Sequence, residues 1–274
     1  MSEYSPATAL DCDDPGDDTI ARFRYQFCIV AINAFQLISD PGSAVSLICE
    51  NFEDVIIQRS DGSFDAVQVK TKLRHLLPLK ANEPAVEKSL VRFAKLNARF
   101  PERFSSFQFV TNHEMWEEQE NSSNLLWLLS EIKVSPKIKG LRKTNPKRAL
   151  VEKISEASDT TVDSVIQMLQ RTKCVARRED VKSIDRAVSD AITQCTDCAD
   201  LPYATVLKLA DDAIAAAFHA SCNGRKTLVA KLYASDADYH EVFAEASLEG
   251  KTINAKIISD IISERLQPEN ELVD

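Results

Sequence analysis

The chain has 274 residues, 44% of them hydrophobic and 27% charged, a formal net charge of −9 and seven cysteines. That length holds one large or two modest globular domains, and the composition excludes a fibre or wholesale disorder. The odd cysteine count, scattered over expected helices and strands, excludes a disulfide framework. No apolar run approaches the ~20 residues of a membrane helix, so no membrane association is expected.

Met1-Ser2-Glu3-Tyr4 has neither the basic nor the apolar segment of a secretory signal, which points to a cytoplasmic protein. Residues 1 to 18 carry six acids (Glu3, Asp11, Asp13, Asp14, Asp17, Asp18) and no base, and are expected to begin as a disordered leader. A helix follows over 18–38, with Phe23, Phe27, Val30, Ala31, Ala34 and Phe35 on its buried side and Asp40-Pro41-Gly42 as its stop. Gln26 and Arg22, four apart, share one stripe of that helix, and a buried amide serving backbone groups is the plain alternative for Gln26.

Strands are expected at about 45–50, 53–59 and 64–71, the last two joined by Ser60-Asp61-Gly62-Ser63 as a hairpin. In the third strand Gln68 and Lys70 share a face, while Val67 and Val69 turn to the core. A hairpin loop of two or four residues pairs positions summing to about 123, which sets Glu53 opposite Lys70 and turns Asp54 away; a one-residue bulge exchanges them. Asp65 falls on the face opposite Lys70 unless a bulge intervenes. A carboxylate, an amide and a lysine brought together supply what phosphodiester hydrolysis needs: oxygen ligands for Mg²⁺ or Mn²⁺, water activated by that ion, and a cation for developing charge. The alternative for Lys70 is an edge-strand solubility charge.

Residues 85–99 read as an amphipathic helix (Val86, Leu90, Phe93, Leu96), and Phe107-Gln108-Phe109-Val110 as a strand. From about 122 onward the pattern is helical throughout: 125–132, 149–157, 161–170 with its cap in Asp159-Thr160-Thr161, 180–195, 203–220, 238–246 and 253–266, with a turn at Asn223-Gly224. Residues 133–148 hold seven bases and no acid around Pro136, Gly140 and Pro146. Lys137, Lys139, Arg142, Lys143, Lys147 and Arg148 are accordingly candidates for tracking nucleic-acid phosphates, a solvated loop being the alternative. The lone Cys195-Thr196-Asp197-Cys198 lacks the further ligands a structural zinc requires. His75, His113, His219 and His240 form no catalytic spacing, and no phosphate-binding glycine loop is present, so any ATPase must be a partner.

The acids at 53–54 followed by a strand ending Gln68-Val69-Lys70 resemble the PD-(D/E)xK restriction-endonuclease-like superfamily, in the Gln-x-Lys form that Mrr-type restriction enzymes also use. More narrowly, Gly16-Asp17-Asp18-Thr19 leading into Arg22-Phe23-Arg24-Tyr25-Gln26, Cys49-Glu50-Asn51-Phe52-Glu53-Asp54, and Arg59 to Thr71 resemble the nuclease effector domain of bacterial anti-phage systems, known from CBASS effectors, from Lamassu and from nucleases paired with a HerA-type ATPase. The resemblance covers roughly residues 16 to 112. It implies an α/β fold, a restriction-endonuclease-like mixed sheet flanked by helices, followed by an all-helical C-terminal region.

The implied domains are a leader at 1–16, a nuclease core at 17–130, and a basic loop and helical region at 131–274 for DNA contact, oligomerisation or partner docking. The implied activity is metal-dependent double-stranded DNA cleavage in defence. The catalytic set is Lys70, Asp54 and Gln68. Metal ligands are sought among Asp54, which the superfamily's motif puts first, then Gln68, Glu53 and Asp65. Relatives often present an acid from the first helix where this chain has Gln26. Cutting both strands calls for a homo-oligomer, and restraint calls for a partner such as an SMC-like ATPase complex or a HerA-type ATPase. The rival function is a catalytically inactive nuclease fold serving as a scaffold or DNA-binding assembly subunit.

Overall fold

The computed structural model describes residues 16–50, 52–118, 120–222 and 248–267. The leader before residue 16, the Asn223-Gly224 turn and the helix expected at 238–246 lie outside the described residues. The elements in order are α1 (Gly16–Ser39), β1 (Ala44–Cys49), β2 (Val55–Arg59), β3 (Phe64–Lys70), α2 (Pro84–Arg99) and β4 (Phe104–Thr111). There follow α3 (Leu125–Val134), α4 (Pro146–Ser158), α5 (Val162–Arg171), β5 (Thr172–Ala176), α6 (Ile184–Thr193), α7 (Tyr203–Cys222), β6 (Thr252–Asn254) and α8 (Ala255–Leu266).

Six strands form one mixed sheet in the order β5-β4-β3-β2-β1-β6. β3, β4 and β5 run parallel, and the remaining neighbours are antiparallel. Helices cover both faces, as a sheet with parallel members requires. On one face α1, α6, α7 and α8 pack against Leu47, Val55, Ile57, Val67 and Val69; on the other α2, α3, α4 and α5 pack against Ile56, Ala66, Phe107 and Phe109. Both clusters draw residues from either side of position 130.

The α/β class stands, but the region expected to be helical throughout supplies both edge strands. Thr172–Ala176 follows α5 without a glycine or proline to mark the change, so nothing local separates it from the helix before it. Parallel pairing with β4, from Phe107 opposite Thr172 to Thr111 opposite Ala176, decides its conformation. The three-residue β6 is likewise made by its partner β1. On α1 the buried side includes Tyr25, Cys28 and Ile29, whereas Phe23 is 51% exposed.

The β2–β3 hairpin fixes the register that matters for the site. Arg59 N donates to Ser63 O (2.9 Å) and Gly62 N to Arg59 O (3.1 Å), with Gly62 at φ +81°, leaving a three-residue loop. Such loops place glycine in the left-handed region. The odd loop pairs Val55 with Val67, Ile56 with Ala66 and Gln58 with Phe64, sums of 122 where a two- or four-residue loop would give 123. The paired register ends at Val55, and both acids lie just beyond it: Asp54 is bonded to Gln68 and Val69 at the end of β3, and Glu53 is turned to Arg92 of α2, on the face of Gln68 and Lys70. The odd loop shifts the strand pairing by one residue from the even-loop register, and excludes neither acid from the end of β3.

Candidate active site

Asp54 lies just before β2, at the end of the sheet where β3 finishes, and is 8% exposed. Its Oδ2 accepts three hydrogen bonds: from Val69 N at 2.7 Å, from Gln26 Nε2 at 3.2 Å and, at shorter range, from Gln68 Nε2. One carboxylate oxygen thus gathers α1, the loop before β2 and the end of β3. Gln68 is fully buried, and Lys70, two residues on along the same face, opens to a cleft of about 500 Å³ lined also by Ala85, Lys88, Arg92 and Ala157.

Glu53 is 2% exposed, with Arg92 Nε 3.5 Å from its Oε2. Burial pushes its carboxyl up to about 8, Arg92 pulling down and Asp54 pushing further up. Burial likewise raises Glu50, whose N–H donates to Asp54 O at 3.1 Å and whose φ of +46° forms the tight turn into the acidic pair.

Three buried oxygens here accept no hydrogen bond: Gln26 Oε1 and Gln68 Oε1, and Glu53 Oε2, which has only its ion-pair contact with Arg92. Buried acceptors are nearly always satisfied, so the two amide oxygens beside Asp54 are free to serve a water or an ion. Hard oxygen donors, part carboxylate and part amide, suit Mg²⁺ or Mn²⁺. Among the described residues no cluster of three or more His, Cys, Asp or Glu side chains is built to hold a metal. A site here therefore depends on its amides, and on that donor set the residues fit a divalent ion.

Asp65 stands apart. In β3 it faces away from Gln68 and Lys70, as regular alternation requires. It accepts from Arg59 Nε (2.8 Å) and Nη2 (2.5 Å), Ser105 Oγ (2.7 Å) and Ser106 Oγ (2.6 Å), leaving no acceptor position open. Arg22, one turn before Gln26, is exposed.

In the basic loop Lys147 is buried, with Nζ donating to Ser135 O (2.6 Å), and Arg148 is held by Glu152 (2.7 Å) and Leu141 O (2.6 Å). These two hold the loop on α4, while Lys137, Lys139, Arg142 and Lys143 stay exposed. Sequence reading missed Glu50, Lys88 and Arg92. The signal for the last two was present in the spacing of bases along α2.

With this geometry in place, comparison with known proteins identifies the frame. The family described as "Cap4, dsDNA endonuclease domain" matches residues 14–196. The chain belongs to that family. The Cap4 match agrees with the resemblance to a CBASS-type nuclease effector drawn from residues 16 to 112 and extends it through β5 and α6. No curated protein matches the chain. Among solved structures, the Moraxella osloensis Cap4 SAVED/CARF-domain containing receptor is 16% identical, with 90% of this chain and 48% of that one covered at a TM-score of 0.49. The Acinetobacter baumannii Cap4 receptor with the cyclic trinucleotide 3'3'3'-cAAA is 16% identical, with 90% and 45% covered at a TM-score of 0.48. The chain spans less than half the length of these receptors.

Proposed function

We propose that this Cap4-family chain is a metal-dependent double-stranded DNA endonuclease, the effector of a bacterial anti-phage defence system. The observation that carries the reading is the pair of unused amide oxygens on Gln26 and Gln68, with the buried Glu53 carboxyl, around Asp54 at the strand end that carries Lys70. Asp54, Gln68 and Glu53 would hold Mg²⁺ or Mn²⁺, with Gln26 from α1 as a further oxygen donor. Held there, such an ion would supply Lewis-acid polarisation of the phosphate and a more acidic water.

The chain's own part is to bind and orient. The Val69 N–H and the two amides fix the Asp54 carboxylate before any substrate arrives, so no reorganisation is needed at the moment of reaction. Lys70, at the mouth of the cleft, meets the negative charge that develops on the phosphate. Arg92 holds Glu53 from the other wall.

Duplex cleavage by a one-site fold requires two sites, so the acting form is a homo-oligomer. A free duplex nuclease would damage its host, so activity is gated by oligomerisation or by a partner such as an SMC-like ATPase complex or a HerA-type ATPase, in the cytoplasm. No described helix is long and apolar enough to cross a membrane. The exposed Lys137, Lys139, Arg142 and Lys143 are retained as DNA contacts.

Plasmid cleavage in Mg²⁺ or Mn²⁺, over a series of protein concentrations and with EDTA as control, tests the reading. Metal-dependent cutting lost in both Lys70→Ala and Asp54→Ala supports it. Cutting that survives both substitutions removes the site, and no cutting at any concentration favours a scaffold or a gated enzyme.

A further inference from the structure

Helix α2 carries Lys88, Arg92, Lys95 and Arg99 at successive spacings of four, three and four residues, which puts all four on one stripe. All four are exposed. The helix has one acid, Glu87, and that is paired with Lys153. In a chain of net charge −9 this is a concentrated positive face.

Two contacts show where the stripe lies. Arg92 Nη2 donates to Phe52 O at 3.1 Å, and the Arg99 guanidinium sits 5.0 Å from the Phe52 ring centre. The stripe therefore runs alongside the segment that delivers Glu53 and Asp54. At its other end Lys88 and Arg92 line the same cleft as Gln68 and Lys70. Positive charge is thus continuous from the cleft to the end of α2. Over eleven residues it extends about 16 Å, the length of roughly five nucleotides of one DNA strand.

We propose that this stripe of α2 is the surface that tracks the DNA phosphodiester backbone away from the scissile bond, with Lys88 and Arg92 nearest the cleft and Lys95 and Arg99 beyond it. The inference rests on the nuclease reading and supplies its substrate-positioning surface. The 137–143 loop meets α4 at Pro146, eleven residues or about 16 Å along the helix from Ala157, the α4 residue at the cleft. The α2 stripe is joined to the catalytic cleft directly.

Lys95→Ala/Arg99→Ala tests the proposal without touching the cleft. Binding of a fluorescein-labelled 30-base-pair duplex is followed by anisotropy in EDTA across a salt series, beside the wild type. The expected result is a loss of affinity of about tenfold or more at fixed salt, with the slope of log K against log salt reduced by about 2. In Mn²⁺ the same variant should raise KM with kcat within about twofold, because the lost contacts hold substrate and transition state alike.

Wild-type affinity and slope in the double variant overturn the proposal, as does a loss found only in Lys137→Ala/Lys139→Ala/Arg142→Ala/Lys143→Ala. A wild type that cuts plasmid while the stripe variant binds normally leaves the nuclease reading intact and removes the stripe alone. A wild type that binds no duplex at any salt overturns the stripe, and plasmid cleavage then decides the nuclease reading separately.

Discussion

Strand β3 meets two carboxylates, its own Asp65 and the Asp54 that precedes β2, and the two are finished differently. On one side Asp65 is saturated by an arginine fork and two serine hydroxyls that tie β3 to the hairpin turn and to β4. On the other, Asp54 concentrates three donors on a single oxygen while the amide oxygens beside it go unused. A carboxylate whose lone pairs are all occupied by protein has no ligand position to offer and serves the fold. A carboxylate with unused acceptors beside it leaves positions that a cation or a water could take, so the difference in hydrogen bonding distinguishes the two carboxylates where residue type does not.

Breaking the comparison at its functional end gives the largest effect. Lys70→Ala removes the one cation at the mouth of the cleft that shares the face of Gln68. DNA cleavage should fall by about 10³-fold, the scale found when one charge-stabilising donor is lost, with thermal stability nearly unchanged because Lys70 is part-exposed. A plasmid-nicking time course beside a melting curve checks both halves. Normal cutting by a folded variant would remove Lys70 from the chemistry.

At the structural end, Asp65→Ala should do the reverse. It leaves Arg59 and two serines without their acceptor, and breaking a largely buried pair of this kind costs about 3 kcal/mol. Titration with Mn²⁺ at a temperature where the variant is folded should give the wild-type affinity. A large loss of metal affinity would instead place Asp65 in the metal site.

Glu53 sharpens the contrast through pH. With its carboxyl pushed up to about 8 by burial, the folded protein keeps a proton that the unfolded chain releases near its usual value of 4.5. Stability should therefore fall as pH rises from about 4.5 to 8 and level off above, at up to about 1.4 kcal/mol per pH unit. Denaturant midpoints in EDTA at pH 6 and 8, for wild type and Glu53→Gln, isolate the contribution. The substitution should flatten the profile by about 2 kcal/mol over that interval, and parallel profiles would show that Glu53 ionises normally.

The sequence made one side of this comparison readable and left the other dependent on a loop. Gln68 and Lys70 share a face by strand alternation alone, and Asp65 falls opposite them by the same rule. The choice between Glu53 and Asp54 hung on whether the hairpin loop held an even or an odd number of residues. Ser60-Asp61-Gly62-Ser63 is compatible with either; the left-handed Gly62 and the Arg59–Ser63 pairing make the loop odd, but the contacts of the two acids with Gln68, Val69 and Arg92, which no loop length shows, place both at the end of β3. Strands β5 and β6 were illegible because each owes its conformation to a neighbour distant in sequence. Lys147 and Arg148 looked like their four exposed neighbours, since sequence does not show which bases a loop folds back to hold its own carbonyls.

The smallest effect comes from restoring charge where this chain has an amide. Gln68→Glu places a carboxylate beside Asp54. Without a cation it loses the Gln68 N–H that Asp54 accepts and sets two carboxylates together, so in EDTA the variant should be less stable at pH 8 than the wild type. With a cation the added charge strengthens attraction, and Mn²⁺ affinity should rise by about tenfold, roughly 1.4 kcal/mol. Isothermal titration of both proteins reads the affinity, and melting with and without metal reads the trade. Opposite signs in the two conditions would place Gln68 among the ligands; the same sign in both would show that its amide serves only to hold Asp54.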